Sequence, residues 1–209
     1  MGTRINSECR GAMQWLVGEW QWPLAGLFAA GLMLAMTPVM FAVAGWAIAL
    51  VWLQLPLYMI HQFEEHHHDR FRLYLNKNVA HCDALTPAGA FWINSIGVWG
   101  LDIVMLYLAV FVSPALALAA FYLPIVNALT HIREAVARRE YNPGLCTSVF
   151  LFLPICTFAL WRVSLDSAAT WQDQLLGLSI AIAIHAAIIV YIVMRVRKLR
   201  GVSTKMATA

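Results

Sequence analysis

Charge is scarce in this sequence. Of 209 residues, 12% are Asp, Glu, Lys or Arg, while 61% are hydrophobic. A soluble globular domain is about a quarter charged, so a water-soluble fold is excluded. Thiol motifs are missing as well. The four cysteines, Cys9, Cys82, Cys146 and Cys156, show no CxxC or other metal-ligand spacing. They read as reduced, small apolar residues. The N-terminus lacks the layout of a secretory signal, because Glu8 and Glu19 interrupt it and no cleavage site is evident. No internal repeat and no low-complexity segment is found. The net charge of +3 does not point to nucleic acid, because the basic residues sit at the ends of hydrophobic segments.

What is present is a series of apolar runs, several of them long enough to cross a bilayer, which takes about 20 residues. Four Thr/Ser/Asn-Pro pairs, Thr37-Pro38, Thr86-Pro87, Ser113-Pro114 and Asn142-Pro143, punctuate them. Each pair places an N-cap residue before a proline at the first helical position. This predicts an all-α polytopic membrane protein with six transmembrane helices, over about 21–36, 38–68, 87–111, 114–139, 143–161 and 172–197. Residues 1–20 form a lead-in whose Trp15 and Trp20, with Trp22 just beyond, suit a membrane interface. Residues 21–200 form a single transmembrane domain and residues 201–209 a tail. Six spans place Arg4, Arg10, Arg70, Arg72, Lys77, Arg133, Arg138, Arg139, Arg195, Arg197, Lys198, Arg200 and Lys205 on one side and leave Arg162 alone on the other. By the positive-inside rule both termini are then cytoplasmic and the protein is a multi-pass protein of the inner membrane.

Residues 58–69, Tyr-Met-Ile-His-Gln-Phe-Glu-Glu-His-His-His-Asp, close the second apolar run. His61, Glu64 and Glu65 fall within about 100° of arc on a helix and so form one polar face. Burying such groups is costly unless they are paired or bind a cation. Counting about 1.5 Å per residue puts Asn94 roughly 10 Å and His185 roughly 15 Å inside the cytoplasmic edge. Asn127 and His131 share a face in the last third of the fourth span. His61, about 35 Å beyond Pro38, falls at the boundary itself unless tilt or a kink at Pro56 brings it level. Four helices thus bring polar groups to the inner leaflet, as in metal sites built in bundle cores. His66 and His67 read as a solvated helix end and His68 as a weak further ligand. His81 reads as a loop residue, Asn94 as interhelical glue, Asp102 as a satisfied buried acid, and Glu134 as the ion-pair partner of Arg138.

His61-Gln-Phe-Glu64-Glu65, with Asn127-Ala-Leu-Thr-His131 and Tyr141-Asn-Pro-Gly-Leu, resembles the HXXEE family of small bacterial membrane proteins over about residues 50–195. The resemblance implies a multi-span helical fold and a shared polar site at His61, Glu64, Glu65, Asn127 and His131. It supplies no reaction. From the residues themselves, His61, His131 and His185 with Glu65 or Glu64 form a ligand set for a divalent transition metal, zinc or iron. Glu64, Glu65 and Asn127 remain for catalysis. HExxH and the multiple-histidine boxes of membrane desaturases are absent. A metalloenzyme acting by hydrolysis or oxidation on a lipid-like or other apolar small molecule is the leading expectation. A metal-free acid–base isomerase or cyclase and a metal-ion or small-molecule transporter are the alternatives.

Overall fold

The structure is a computed structural model that describes residue 15 and residues 20–207, with side chains to residue 201. Among these residues all regular structure is helical. Helix α1 spans Trp22–His66. Helix α2, Arg70–Tyr74, continues as a π-helical turn over Leu75–Ala80. Then follow α3 (Pro87–Phe111), α4 (Pro114–Arg138) and α5 (Leu145–Asp166), and α6 (Trp171–Ala207). Among the described residues five stretches are long and apolar enough to cross a membrane: Trp22–Ala80, Pro87–Phe111, Pro114–Arg138, Leu145–Asp166 and Trp171–Gly201. Large apolar side chains such as Phe28, Val43, Ile96, Phe111, Phe150 and Ile189 face outward. An apolar surface of that extent is what a lipid-facing protein presents.

Two of the Pro pairs act as the sequence predicts. Thr86 Oγ1 accepts from Gly89 N at 3.0 Å, and Ser113 Oγ accepts from Ala115 N at 3.3 Å, so α3 and α4 begin at Pro87 and Pro114. The first pair does not act this way. Thr37 Oγ1 donates to Met33 O at 3.1 Å inside α1, and the helix passes through Pro38. The non-helical residue is Gly45, at φ 77 and ψ 174. Trp22 lies against His66 with ring centroids 5.1 Å apart, and a Cβ on Gly26 would sit 3.9 Å from Met59 Cβ. On a straight helix those pairs would be separated by roughly 50 Å or more. The chain therefore doubles back at Gly45, and α1 is a hairpin with a first arm (22–44) and a second arm (46–66). The turn needs a backbone conformation open in practice to glycine alone. Gly45→Val is expected to lower stability by about 1–3 kcal/mol in a detergent melt, while Gly31→Ala, which meets nothing within 4 Å, leaves it unchanged or raises it. Equal melts for both would contradict the turn.

Moving the turn also changes the count to His61, which lies ~24 Å along the second arm from Gly45 rather than ~35 Å from Pro38. At Pro56 the backbone keeps helical dihedral angles.

Helix α4 is central and packs on α6, α5 and the second arm of α1. One apolar cluster joins Leu118 and Phe121 to Leu50, Val51, Met105, Ala159 and Val163. A second joins Leu123 and Phe152 to Leu57, Tyr58, Val98, Cys156 and Ala181. Gly177 lets α6 close on the start of α4, since a Cβ there would stand 3.0 Å from Leu118 Cβ. Small residues bring helices close where water cannot drive them together. The second cluster is the floor of the site, with Phe152 4.4 Å from the His61 ring.

Candidate metal centre

The second arm of α1 carries His61 and Glu65 four residues apart, one above the other on a single helical face. Opposite them, α4 carries His131. Glu65 Oε1 lies 3.0 Å from His131 Nε2, and Oε2 lies 3.5 Å from His61 Nε2. One ligand atom from each of these three residues lies within 4.8 Å of the other two. All three side chains are buried, His61 completely. An acid at membrane depth costs several kcal/mol unless partnered, and Glu65 is held where partners converge.

The far edges of both imidazoles are tied by the segment that leads into α5 and by the first turn of α5. His61 Nδ1 is 2.7 Å from Thr147 Oγ1, and His131 Nδ1 is 2.6 Å from Asn142 Oδ1. Asn142 Nδ2 donates back to His131 O at 2.9 Å. Asn127, one turn before His131, reaches His61 Nε2 at 2.9 Å. Gly144 lies against the cluster at φ 100. A Cβ there would fall 2.7 Å from His131 Cε1, 2.9 Å from Glu65 Cγ and 2.9 Å from His61 Cε1.

Glu64 points elsewhere. Its carboxylate accepts from Tyr141 Oη at 2.7 Å, Cys146 N at 3.1 Å, Thr147 N at 2.7 Å and Thr147 Oγ1 at 2.6 Å. It thus caps the first turn of α5 from another helix, where free N–H groups and the helix dipole favour an anion. Partial burial and the Glu64 carboxylate push the Tyr141 hydroxyl upward, which keeps it a donor.

A second polar string was not visible in the sequence. His66 Nε2 lies 3.4 Å from Glu65 Oε2 and 2.9 Å from Asn94 Nδ2. Asn94 Oδ1 accepts from Gln62 Nε2 at 2.9 Å, and Gln62 Oε1 accepts from Trp99 Nε1 at 2.5 Å. Asn94 and Trp99 lie on the π-helical stretch of α3, a feature common near functional sites. Asn94 is therefore the interhelical tie expected of it. His66 is not solvated but buried against Glu65.

Not every candidate joins the centre. His185 donates from Nδ1 to Ala181 O at 2.8 Å and lines the adjoining cavity, outside the three-residue group. His68 is exposed in a left-handed turn beyond the helix end, with its ring 3.9 Å from that of His67. It does not return to the face of His61, because α1 stops at His66. His81 is an exposed turn residue. Glu134 pairs with Arg138 as expected. Asp102 is the correction: it is 2% exposed and neither carboxylate oxygen has a hydrogen-bond partner among the described residues. No donor on α1, α4 or α5 is placed to meet it.

A cavity of about 390 Å³ opens beside the cluster. Glu65, His131, Asn127 and Asn142 line it together with Leu123, Ile184, Ile188, Ile192 and Val193. Its surface is mostly apolar with a smaller polar share, as in small-molecule sites.

Helices apolar enough to cross a bilayer, converging on a buried His/Glu cluster that could hold a metal ion, define a multi-pass helical membrane protein with a polar centre. A family model described as "Protein of unknown function with HXXEE motif" matches residues 52–159. This is just over half of the chain, and the chain belongs to that HXXEE-motif family. No curated protein and no solved structure matches it.

Proposed function

We propose that this protein is an integral enzyme of the inner membrane whose centre at His61, Glu65 and His131 holds a divalent transition metal, zinc or iron. It acts on a lipid-like or other apolar small molecule by hydrolysis or oxidation. The observation that supports this is the buried convergence of two imidazoles and one carboxylate within 4.8 Å, two of them lining a largely apolar cavity. Two histidines with one carboxylate make a ligand set used by hydrolytic zinc and by oxygen-activating iron. When bound, the metal would polarise an oxygen of the substrate or activate a water.

The chain's own residues account for the rest. The isoleucines of α6 and Leu123 hold the apolar part of the substrate and exclude water. Asn127, beside His61 Nε2, offers an amide to a polar group of the substrate. Six crossings follow if both arms of α1 span the membrane. At ~35 Å and ~32 Å each exceeds the roughly 30 Å needed. Both termini are then cytoplasmic, and the 13-to-1 division of basic residues obeys the positive-inside rule.

A second reading rests on the 3.0 Å contact of Glu65 with His131. A shared proton there, rather than a metal, would make the centre an acid–base pair of an isomerase or cyclase. Elemental analysis decides between them. Purified protein is expected to carry about one transition-metal ion per chain, lost in His61→Ala. Metal-free, folded wild type that takes up none of zinc, iron or manganese would remove the metalloenzyme and leave the acid–base pair.

A further inference from the structure

The two histidines of the centre are each gripped at the nitrogen that faces away from Glu65. We infer that Glu64, Thr147 and Asn142 are positioning residues that fix both rings in the Nδ1–H form, so that both Nε2 atoms present bare electron pairs to the centre. The inference deepens the metal-centre reading and rests on it for its purpose, though not for its test.

The hydrogen bonds leave one assignment. An ionised carboxylate only accepts. Thr147 Oγ1, 2.6 Å from Glu64 Oε2, must therefore spend its single proton there. What remains on Thr147 Oγ1 is lone pairs, so at 2.7 Å it accepts, and His61 Nδ1 is the donor. Glu64 is ionised in this arrangement, because the Cys146 and Thr147 backbone N–H groups and the Tyr141 hydroxyl already converge on its two oxygens. The chain Glu64–Thr147–His61 thus runs in one direction only.

His131 is settled separately. A backbone carbonyl cannot donate, so the Asn142 atom 2.9 Å from His131 O is the amide nitrogen. Its oxygen then faces His131 Nδ1 at 2.6 Å and requires Nδ1–H. In the neutral ring a proton on Nδ1 leaves Nε2 bare. His61 Nε2 accepts from the Asn127 amide, and His131 Nε2 faces Glu65 Oε1 across 3.0 Å, a pair of acceptors that requires either a proton on Glu65 or a cation between them. Partners of this kind, which orient the ligand ring from behind, accompany most metal-bound histidines, and their loss typically weakens binding about 10–100-fold.

This gives the paired glutamates of the motif different tasks. Glu65 meets the histidines directly, while Glu64, one residue earlier and about 100° round the helix, acts on His61 through Thr147. The Tyr-x-Pro-Gly segment becomes a clamp: Tyr141 holds Glu64, Asn142 holds His131, and Gly144 leaves room for both rings.

The test is nitrogen NMR of histidine-labelled, metal-free full-length protein in lipid nanodiscs, at a pH where the rings are neutral, with signals assigned by single histidine substitutions. The wild type is expected to show His61 and His131 protonated at Nδ1. Thr147→Val keeps the shape and removes the hydroxyl, so His61 loses its fixed form while His131 keeps it. Thr147→Ser restores the wild-type spectrum. Zinc titration of the same samples is expected to show binding weaker by about 10–100-fold in Thr147→Val and recovered in Thr147→Ser. A wild-type His61 protonated at Nε2, a valine variant with an unchanged His61, or a serine variant that behaves like valine would each overturn the inference. The expected spectra in a wild type that binds no metal would uphold the positioning and sink the metalloenzyme instead.

Discussion

Glu65→Gln is expected to empty the centre while leaving the fold intact. The substitution keeps the shape of the side chain and removes its charge. With Nε2 of His131 bare, the new amide can donate to it, so no buried polar group is stranded and the penalty for an orphaned partner is avoided. Metal binding has no such substitute, because the only carboxylate among the three clustered residues is gone. Retention is expected to fall by more than about 100-fold, beyond the range for loss of a merely orienting partner. Glu64→Gln, one residue earlier, is expected to do the reverse. Each oxygen of Glu64 accepts from two donors, so an amide NH₂ at either position faces donors it cannot satisfy. The start of α5 loosens, at a cost of about 1–3 kcal/mol, and metal binding weakens without being lost. Metal analysis beside a thermal melt of both variants separates the two roles. A Glu65→Gln protein with undiminished metal would show that the ion, if any, sits elsewhere.

That two adjacent glutamates divide in this way marks the limit of what spacing can disclose. The four-residue intervals His61–Glu65 and Asn127–His131 place side chains on common faces, and the structure brings those faces together. The bounds of α3 and α4 follow from Thr86-Pro87 and Ser113-Pro114, because a capping oxygen and a proline at the first turn act locally. The hairpin at Gly45 was not legible. Thr37-Pro38 carries the same local signal, but the helix continues through it with Thr37 Oγ1 turned back to Met33 O, and the turn falls at the glycine seven residues later. His66 was missed because a one-face picture sends it outward, whereas Glu65 is ringed from several sides by His61, His66 and His131. Thr147 belongs to none of the three motifs, and only the turn at Gly144 brings it under His61. Asp102 shows the opposite failure. A buried acid is expected to find a donor, and this one has none among the described residues.

Gly144→Ala is expected to damage the site more than any other single methyl group. The backbone at Gly144 has φ 100, where a side chain costs about 1–2 kcal/mol before any contact is made. The added carbon would then lie 2.7 Å from His131 Cε1 and 2.9 Å from both Glu65 Cγ and His61 Cε1. None of these atoms ends a flexible chain free to swing away. His131 is tied through Nδ1 to Asn142 and His61 to Thr147, and His61 is backed by Phe152 at 4.4 Å. Relief must come from shifting the rings or lifting the loop, which adds the ~1–3 kcal/mol usual for an overpacked core. The sum, about 2–5 kcal/mol, corresponds to a fall in melting temperature of roughly 5–15 °C. Metal retention should drop with it, because either escape moves a ligand. Gly97→Ala, which meets nothing within 4 Å, is the control and should match the wild type in both measurements. A Gly144→Ala protein that melts and binds metal like the wild type would mean that the loop does not rest on the imidazoles, and the clamp would have to be abandoned together with the fixed ring orientations it explains.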